Sequence, residues 1–232
     1  MSRRFFSDTP ITGDHATLAD SEAHHLIHVL RASLGDSIVL FDNSGCEFDA
    51  SVAHIGRRDV ELAIVARREI DREARTSLTL AVPLPKGDRS RWLVEKAVEL
   101  GVTTIIPLIT ARSTGGKEKG VEKLDRFVIE ASKQCGRNRL LEIAAPLKFD
   151  ELLQTAPVDA LRLMAHPTAG PTALGDDTKK VFVAIGPEGG FADDEVQAAF
   201  AAGWQIVTLG PRILRMETAA LAFAAKFINS FG

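Results

Sequence analysis

The chain has 232 residues, of which 45% are hydrophobic and 25% charged, and its formal net charge at pH 7 is −3. That is enough apolar material for one large domain or two small ones, and it excludes disorder as a description of the whole chain. No run approaches the roughly 18 apolar residues that span a bilayer, and the start, Met1-Ser2-Arg3-Arg4, has no apolar segment of the kind found in secretory leaders.

In chain order, the first expected element is a helix from Asp20 or Ser21 to about Ala32, with Leu26, Val29 and Leu30 on one face and Gly35 past its end. Three β-like runs come next: Ser37–Phe41, Cys46–Ala53 and Asp59–Val65. Turn signals at Asn43-Ser44-Gly45 and at Gly56 separate them. Arg67–Arg75 holds seven charges in nine residues and reads as a domain boundary or the exposed end of a last strand.

The texture changes near Ser77. Apolar runs at Leu78–Leu84, Val102–Ile109, Ala160–Ala165, Val181–Ile185 and Ile206–Leu209 alternate with helical periods at Ser90–Leu100, Glu122–Cys135, Asp193–Ala202 and Glu217–Phe231. Short, wholly apolar strands alternating with amphipathic helices predict an α/β domain whose mainly parallel sheet is covered on both faces. The expected division is residues 1–74 and 75–232.

Charge is unevenly spread. Residues 1–75 carry nine Arg, no Lys and thirteen acids, whereas residues 112–139 carry eight basic residues against four acids. The second stretch can meet a polyanion, or it can be an ordinary solvated helix face. Cys46 and Cys135 stand far apart with no CxxC, which fits a reducing cytoplasm rather than a disulfide framework.

In an open parallel sheet, ligands bind beyond the carboxyl ends of the strands. Three turns occupy that position: Met164-Ala165-His166-Pro167, Ile185-Gly186-Pro187-Glu188-Gly189-Gly190-Phe191, and Leu209-Gly210-Pro211-Arg212 running on to Ala220. The glycines allow close backbone approach and positive φ. Neither glycine turn is a GxGxxG fingerprint or a P-loop, so nucleotide phosphate is disfavoured. Each turn also has a plain structural reading: a strand-to-helix connection, a residue before proline at His166, a helix cap at Asp193, Glu217 or Thr218. Arg212, Arg215 and Glu217 are charges that core packing does not need. His24 and His28 are spaced i, i+4, but without HExxH or a third ligand no metal is expected. No GxSxG is present for acyl transfer. Asp176-Asp177 and Asp193-Asp194 read as loop and helix-start acids.

Taken together, IGPEGGF at 185–191 and LGPRILRMETAALAF at 209–223 resemble the SPOUT superfamily of S-adenosylmethionine-dependent RNA methyltransferases. Within it the chain is similar to the RsmE family, bacterial 16S ribosomal RNA uridine-N3 methyltransferases. Arg3-Arg4-Phe5-Phe6, His24-His25-Leu26 through Arg31, Lys86-Gly87-Asp88, Glu95 through Gly101 and Glu130 through Arg137 also agree, so the resemblance covers nearly the whole chain. It implies an N-terminal PUA-like RNA-binding β-barrel and a C-terminal SPOUT domain with a deep trefoil knot. It further implies a homodimer acting on 16S ribosomal RNA, with no membrane and no metal as partners.

The resemblance assigns S-adenosylmethionine to the three turns. The cofactor-binding residues are then Met164, Ala165, His166 and Pro167; Ile185, Gly186, Pro187, Glu188, Gly189 and Gly190; and Leu209, Gly210, Ile213, Leu214, Arg215, Thr218 and Ala219. Uracil N3 must lose a proton, so a guanidinium is expected to stabilise the developing anion and a carboxylate to take the proton. Arg215 and Glu217 are the candidates, the alternative being phosphate contact for Arg215 and a brace for Glu217. Expected RNA backbone contacts are Arg3, Arg4, Arg31, Arg89, Arg112, Lys133, Arg137 and Arg139. The acidic N-terminal domain is a departure that weakens its expected share of RNA binding. Two other functions remain open: a SPOUT enzyme of different specificity, such as ribose 2′-O methylation, and a non-catalytic RNA-binding assembly factor.

Overall fold

A computed structural model describes residues 3–113, 123–167 and 178–228. Asp176, Asp177, the Lys117–Glu122 part of the basic stretch and the last residues of the expected terminal helix lie outside them. The described chain forms two compact units: residues up to Glu73 together with Ile129–Leu140, and Ala74–Val128 together with the residues from Leu141 onward.

The first unit is built on a five-stranded sheet in the order β1-β3-β4-β5-β2, where β1 is Arg4–Phe6, β2 His15–Ala19, β3 Ser37–Phe41, β4 Cys46–Ile55 and β5 Asp59–Glu69. Only β1 and β3 pair in parallel. Register shifts at Asp49/Ala50 and Val52/His54 break the long β4–β5 ladder. Bulges of this kind bend the strand and increase its twist, which curls the sheet. Phe5, Leu18, Leu26, Ile38, Leu40, Phe48, Val52 and Leu62 fill the core; each contributes roughly 1.5–3 kcal/mol of hydrophobic stabilisation.

The first helix departs from the expectation. Helix α1 covers only Asp20–His24, and the chain then widens into a π-helical turn over His25–Val29, closed by the Leu30 amide donating to the His25 carbonyl at 3.0 Å. The extra residue in the turn rotates the residues after it about the helix axis. Leu26 stays buried, while Val29, expected beside it, is 56% exposed.

A buried charge network secures the unit. The Arg4 guanidinium donates to Glu47 Oε1 at 2.5 Å, to the Asn138 side-chain oxygen and to the Arg137 carbonyl at 3.1 Å. Arg72 donates to the same Glu47 oxygen at 2.7 Å. Arg137 clamps Glu73 with two nitrogens, and Lys133 Nζ joins Glu22 and Glu130. Segment Ile129–Leu140 therefore supplies the cations that pair with Glu22 and Glu73, while Glu47 is neutralised by Arg4 and Arg72.

The second unit holds a parallel sheet in the order β12-β10-β11-β6-β7-β8. The strands are β6 Ser77–Val82, β7 Thr104–Ile109, β8 Glu142–Ile143, β10 Leu161–Ala165, β11 Lys180–Ala184 and β12 Gln205–Val207; β9, Leu147–Lys148, pairs with the far end of β7. One face is covered by α4 (Phe149–Thr155) and α5 (Asp193–Ala201), with Phe149, Leu152, Phe191 and Trp204 between. Helices α2 (Asp88–Glu99) and α6 (described over Met216–Ile228) pack on each other, and α6 also packs on β6. Strand β6 is buried from Leu78 to Val82, as a sheet covered on both sides requires. Helix α3, Asp125–Cys135, crosses the boundary between the units.

Burial pushes the Glu47 carboxyl upward, but the Arg72 hydrogen bond and the Arg4 charge outweigh it, so the group sits below the ordinary 4.5. The folded unit therefore binds fewer protons than the unfolded chain near that pH. The pair's stabilisation is present above about pH 4.5 and is lost as pH falls through the lower native value. Glu47→Ala is expected to destabilise the first unit by about 3–5 kcal/mol, because it strands a buried cation. Glu47→Gln is expected to flatten the acid limb of thermal stability measured between pH 6 and 3.

Candidate functional site

Strands β11, β10 and β12 are adjacent and parallel, with Met164 opposite Ala184 and Ala165 opposite Val207. Their carboxyl ends point the same way, so the turns that leave them meet. The His166 amide donates to the Val207 carbonyl at 2.8 Å, and the Ile185 amide to the Ala81 carbonyl at 2.9 Å, extending the ladder into the turns. Between them lies a cavity of about 520 Å³.

The three segments singled out in the sequence line it: Ala165–Pro167 from the first turn, Ile185–Phe191 from the second, Leu209 and Arg212–Met216 from the third. Helix α6 adds Met216, Ala219 and Phe223, which share one helical face. Ile185, Val207, Leu214 and Phe223 make the wall apolar, while Glu188, Asp193, Arg112, Arg212 and Arg215 carry the charges.

Backbone close approach explains the glycines. A Cβ at Gly186 would lie 3.1 Å from the Phe191 ring and 3.2 Å from the Gly190 carbonyl carbon, and Gly190 has φ +68°. The Gly190 amide closes the turn on the Pro187 carbonyl at 2.8 Å. Arg112 Nη1 donates to the carbonyls of Gly189, at 2.9 Å, and Phe191, at 3.1 Å. Glu195, 8% exposed, accepts from the amides of Ala111 and Ala192. Ala192, not Asp193, is thus the capping residue of α5. In the third turn, Gly210 has φ +115° and its amide and carbonyl both engage the Thr208 hydroxyl.

The remaining expected residues fall in other places. Met164 is fully buried and, like Gly210 and Thr218, lies off the cavity lining. Arg215 is exposed on the cavity and makes no side-chain bond among the described residues. Glu217 is not on the cavity wall. It is 6% exposed on the next face of α6, with Oε1 3.7 Å from Arg89 and Oε2 without a hydrogen-bond partner among the described residues. Arg89 also lies 3.4 Å from Glu188.

Of the expected RNA contacts, Arg3, Arg31, Arg89, Arg112 and Arg139 are exposed. Arg4, Lys133 and Arg137 are at most 7% exposed and are taken up by Glu47, Glu22, Glu130 and Glu73. Their charge neutralises carboxylates inside the first unit instead of facing a polyanion. Among the described residues no His, Cys, Asp and Glu cluster could hold a metal, and no helix is long and apolar enough to cross a membrane. Arg112 joins the cavity from outside the three turns, and Phe191 and Phe223, though inside the quoted motifs, are not among the expected binding residues. Glu195 was legible only as the third acid of α5's first turn.

This α/β unit places its glycine turns at the carboxyl ends of parallel strands, the position of a ligand site in such sheets. Residues 72–228 match the RNA methyltransferase domain family, and residues 18–65 match the RNA methyltransferase PUA domain. The ribosomal RNA small subunit methyltransferase E of a Synechocystis strain is 33% identical over 90% of this chain and 71% of its own. The crystal structure of a ribosomal RNA small subunit methyltransferase E from Neisseria gonorrhoeae, bound to S-adenosylmethionine, superposes with a TM-score of 0.90 at 32% identity, covering 97% of this chain and 96% of that one. A methyltransferase of Legionella pneumophila, also holding S-adenosylmethionine, gives a TM-score of 0.89 at 31% identity over 97% and 98% of the two chains. The chain belongs to the RNA methyltransferase family and, within it, to the ribosomal RNA small subunit methyltransferase E group.

The Neisseria and Legionella structures both hold S-adenosylmethionine. The cavity's volume falls in the range of small-molecule sites, and its apolar walls with backbone-rich turns suit an adenosyl group. Gly186→Ala is expected to push the Phe191 ring off its seat and weaken S-adenosylmethionine binding about tenfold by calorimetry. The melting temperature should stay within a few degrees of the parent.

Proposed function

We propose that the protein transfers the methyl group of S-adenosylmethionine to N3 of a uridine in the 16S ribosomal RNA of the small ribosomal subunit. One observation carries most of the weight: three turns from adjacent parallel strands close a single cavity within the residues that match the RNA methyltransferase family. The name shared by the Synechocystis and Neisseria relatives supports small-subunit ribosomal RNA as the acceptor.

When bound, the cofactor supplies an electrophilic methyl group on a sulfonium. The chain's own residues bind and orient it. The glycine turns bring backbone against the ligand, and Ile185, Leu214 and Phe223 exclude water. Holding donor and acceptor in line accounts for much of such a rate enhancement. Uracil N3 lies on the Watson–Crick edge, so the target base enters unpaired or flipped from its stack. The N3 proton passes to solvent water, and its loss leaves negative charge on the ring oxygens. The Arg215 guanidinium, exposed beside the cavity and unengaged among the described residues, is the group we assign to that charge. Glu217, buried against Arg89 and off the wall, suits bracing α6 better than proton transfer.

Arg31 and Arg139 are exposed cations available to RNA phosphates, and Arg3, also exposed, is paired with Asp36 at 3.2 Å. The reading also takes the protein to act as a cytoplasmic homodimer with the knotted C-terminal threading of its superfamily. The threading is supported by the path of the chain, which leaves β12 at the sheet edge and returns as α6 against β6, on the far side of β10 and β11.

Nucleoside mass spectrometry of ribosomal RNA from cells lacking the protein tests the reaction. Loss of 3-methyluridine is expected; loss of a ribose 2′-O-methyl nucleoside instead would move the specificity, and no change would remove the activity. Arg215→Ala is expected to lower the transfer rate about 10²–10³-fold while S-adenosylmethionine affinity stays within about threefold. A fall in cofactor affinity alone would reassign Arg215 to binding. RNA affinity is expected to drop steeply between 50 and 200 mM salt, on the order of tenfold per contact pair engaged.

A further inference from the structure

We infer that Arg112 and Glu195 form a clasp that holds the glycine turn in its cofactor-receiving shape, making both of them positioning residues for cofactor binding. This rests on the reading that the cavity takes S-adenosylmethionine, and it replaces the phosphate contact that the sequence suggested for Arg112.

The turn needs an external restraint. Gly186, Gly189 and Gly190 fall within five residues, and the only backbone bond closing them among the described residues is Gly190 to Pro187 at 2.8 Å. Glycine has the largest conformational freedom to lose. Any peptide still mobile before binding must be ordered by the ligand, which lowers affinity.

The segment after β7 supplies the restraint. Arg112 Nη1 reaches across to the Gly189 and Phe191 carbonyls at 2.9 and 3.1 Å, so one nitrogen holds both sides of the positive-φ residue Gly190. One residue earlier, the Ala111 amide donates to Glu195 Oε1 at 2.9 Å, and Glu195 Oε2 accepts from Ala192 at 2.8 Å. Glu195 is nine-tenths buried and both of its oxygens are engaged. Residues 111–112 and the first turn of α5 thus grip residues 189–192 from two sides. β7 is not a neighbour of β11, since β6 lies between them, so sheet pairing does not make this connection.

Three variants test the clasp: Arg112→Ala, Arg112→Lys and Glu195→Gln. Because a single nitrogen makes both Arg112 bonds, a lysine ammonium with three donors can replace it. The first measurement is hydrogen exchange at the Gly190 and Ala192 amides of the ligand-free protein. Exchange is expected to rise about tenfold or more in Arg112→Ala and Glu195→Gln and to stay near the parent rate in Arg112→Lys. The second is calorimetric S-adenosylmethionine affinity, expected to fall about tenfold in Arg112→Ala and to be kept within threefold in Arg112→Lys. The third is the salt slope of RNA binding, expected to be unchanged.

Parent-like amide exchange in Arg112→Ala overturns the clasp whether or not any cofactor binds. So does a variant that keeps its cofactor affinity but loses RNA affinity with a shallower salt slope, which would return Arg112 to the phosphate backbone. If the parent protein binds no S-adenosylmethionine while the exchange result holds, the clasp stands and the cofactor reading fails.

Discussion

Three adjacent strands running the same way determine nearly the whole layout of the site in the second unit. Neighbouring strands lie under 5 Å apart, so the ends of β11, β10 and β12 set three chain segments side by side before any side chain is chosen. The register places Ala184 beside Met164 and Ala165 beside Val207, which levels the three exits. A cavity then forms from backbone and small residues. Larger side chains join it as apolar wall at Phe191 and Phe223 and as charges at Arg112, Glu188, Arg212 and Arg215. The site is a property of strand order first and of residue chemistry second.

The first unit depends on a different kind of interaction. Where Arg4 and Glu47 meet, a network of guanidiniums, one side-chain amide and backbone carbonyls holds it together. Burying such charges contributes little net stability compared with an apolar core, but removing one partner is costly. The acidic balance of residues 1–75 has the same origin: the compensating cations are supplied from Lys133, Arg137 and their neighbours, some sixty residues downstream.

Much of this was legible in the residues. The alternation of apolar runs and amphipathic periods after Ser77 predicts the parallel sheet, and the exits of β10, β11 and β12, the last two carrying glycines, are the ones that line the cavity. Local pattern failed where long-range contacts decide. Arg4 looks like any N-terminal cation; only the arrival of Asn138 and Glu47 makes it a buried one. Lys133 sits on an amphipathic helix where a basic residue normally faces solvent, and its burial comes from Glu22 lying opposite. Strand β1 is three residues long and is stabilised by pairing with β3, so it has no period of its own. Helix α4, Phe149–Thr155, is too short for a helical period to show. The π-helical turn at His25–Val29 has the composition of an ordinary helix, and its extra residue shows only in the hydrogen bonding.

The placement of Ile129–Leu140 with the first unit has a consequence for how this chain can be taken apart or reshuffled. The polypeptide leaves that unit after Glu73, returns for a dozen residues and leaves again, so no single peptide bond separates the two. A fragment ending near Glu73 would keep Glu47 with Arg4 and Arg72 but forfeit Lys133 and Arg137, which pair with Glu22 and Glu73, and Asn138, which accepts from Arg4. Gene fusion or exchange at one junction could not carry the N-terminal module to a new host intact. The two halves are bound to be inherited together.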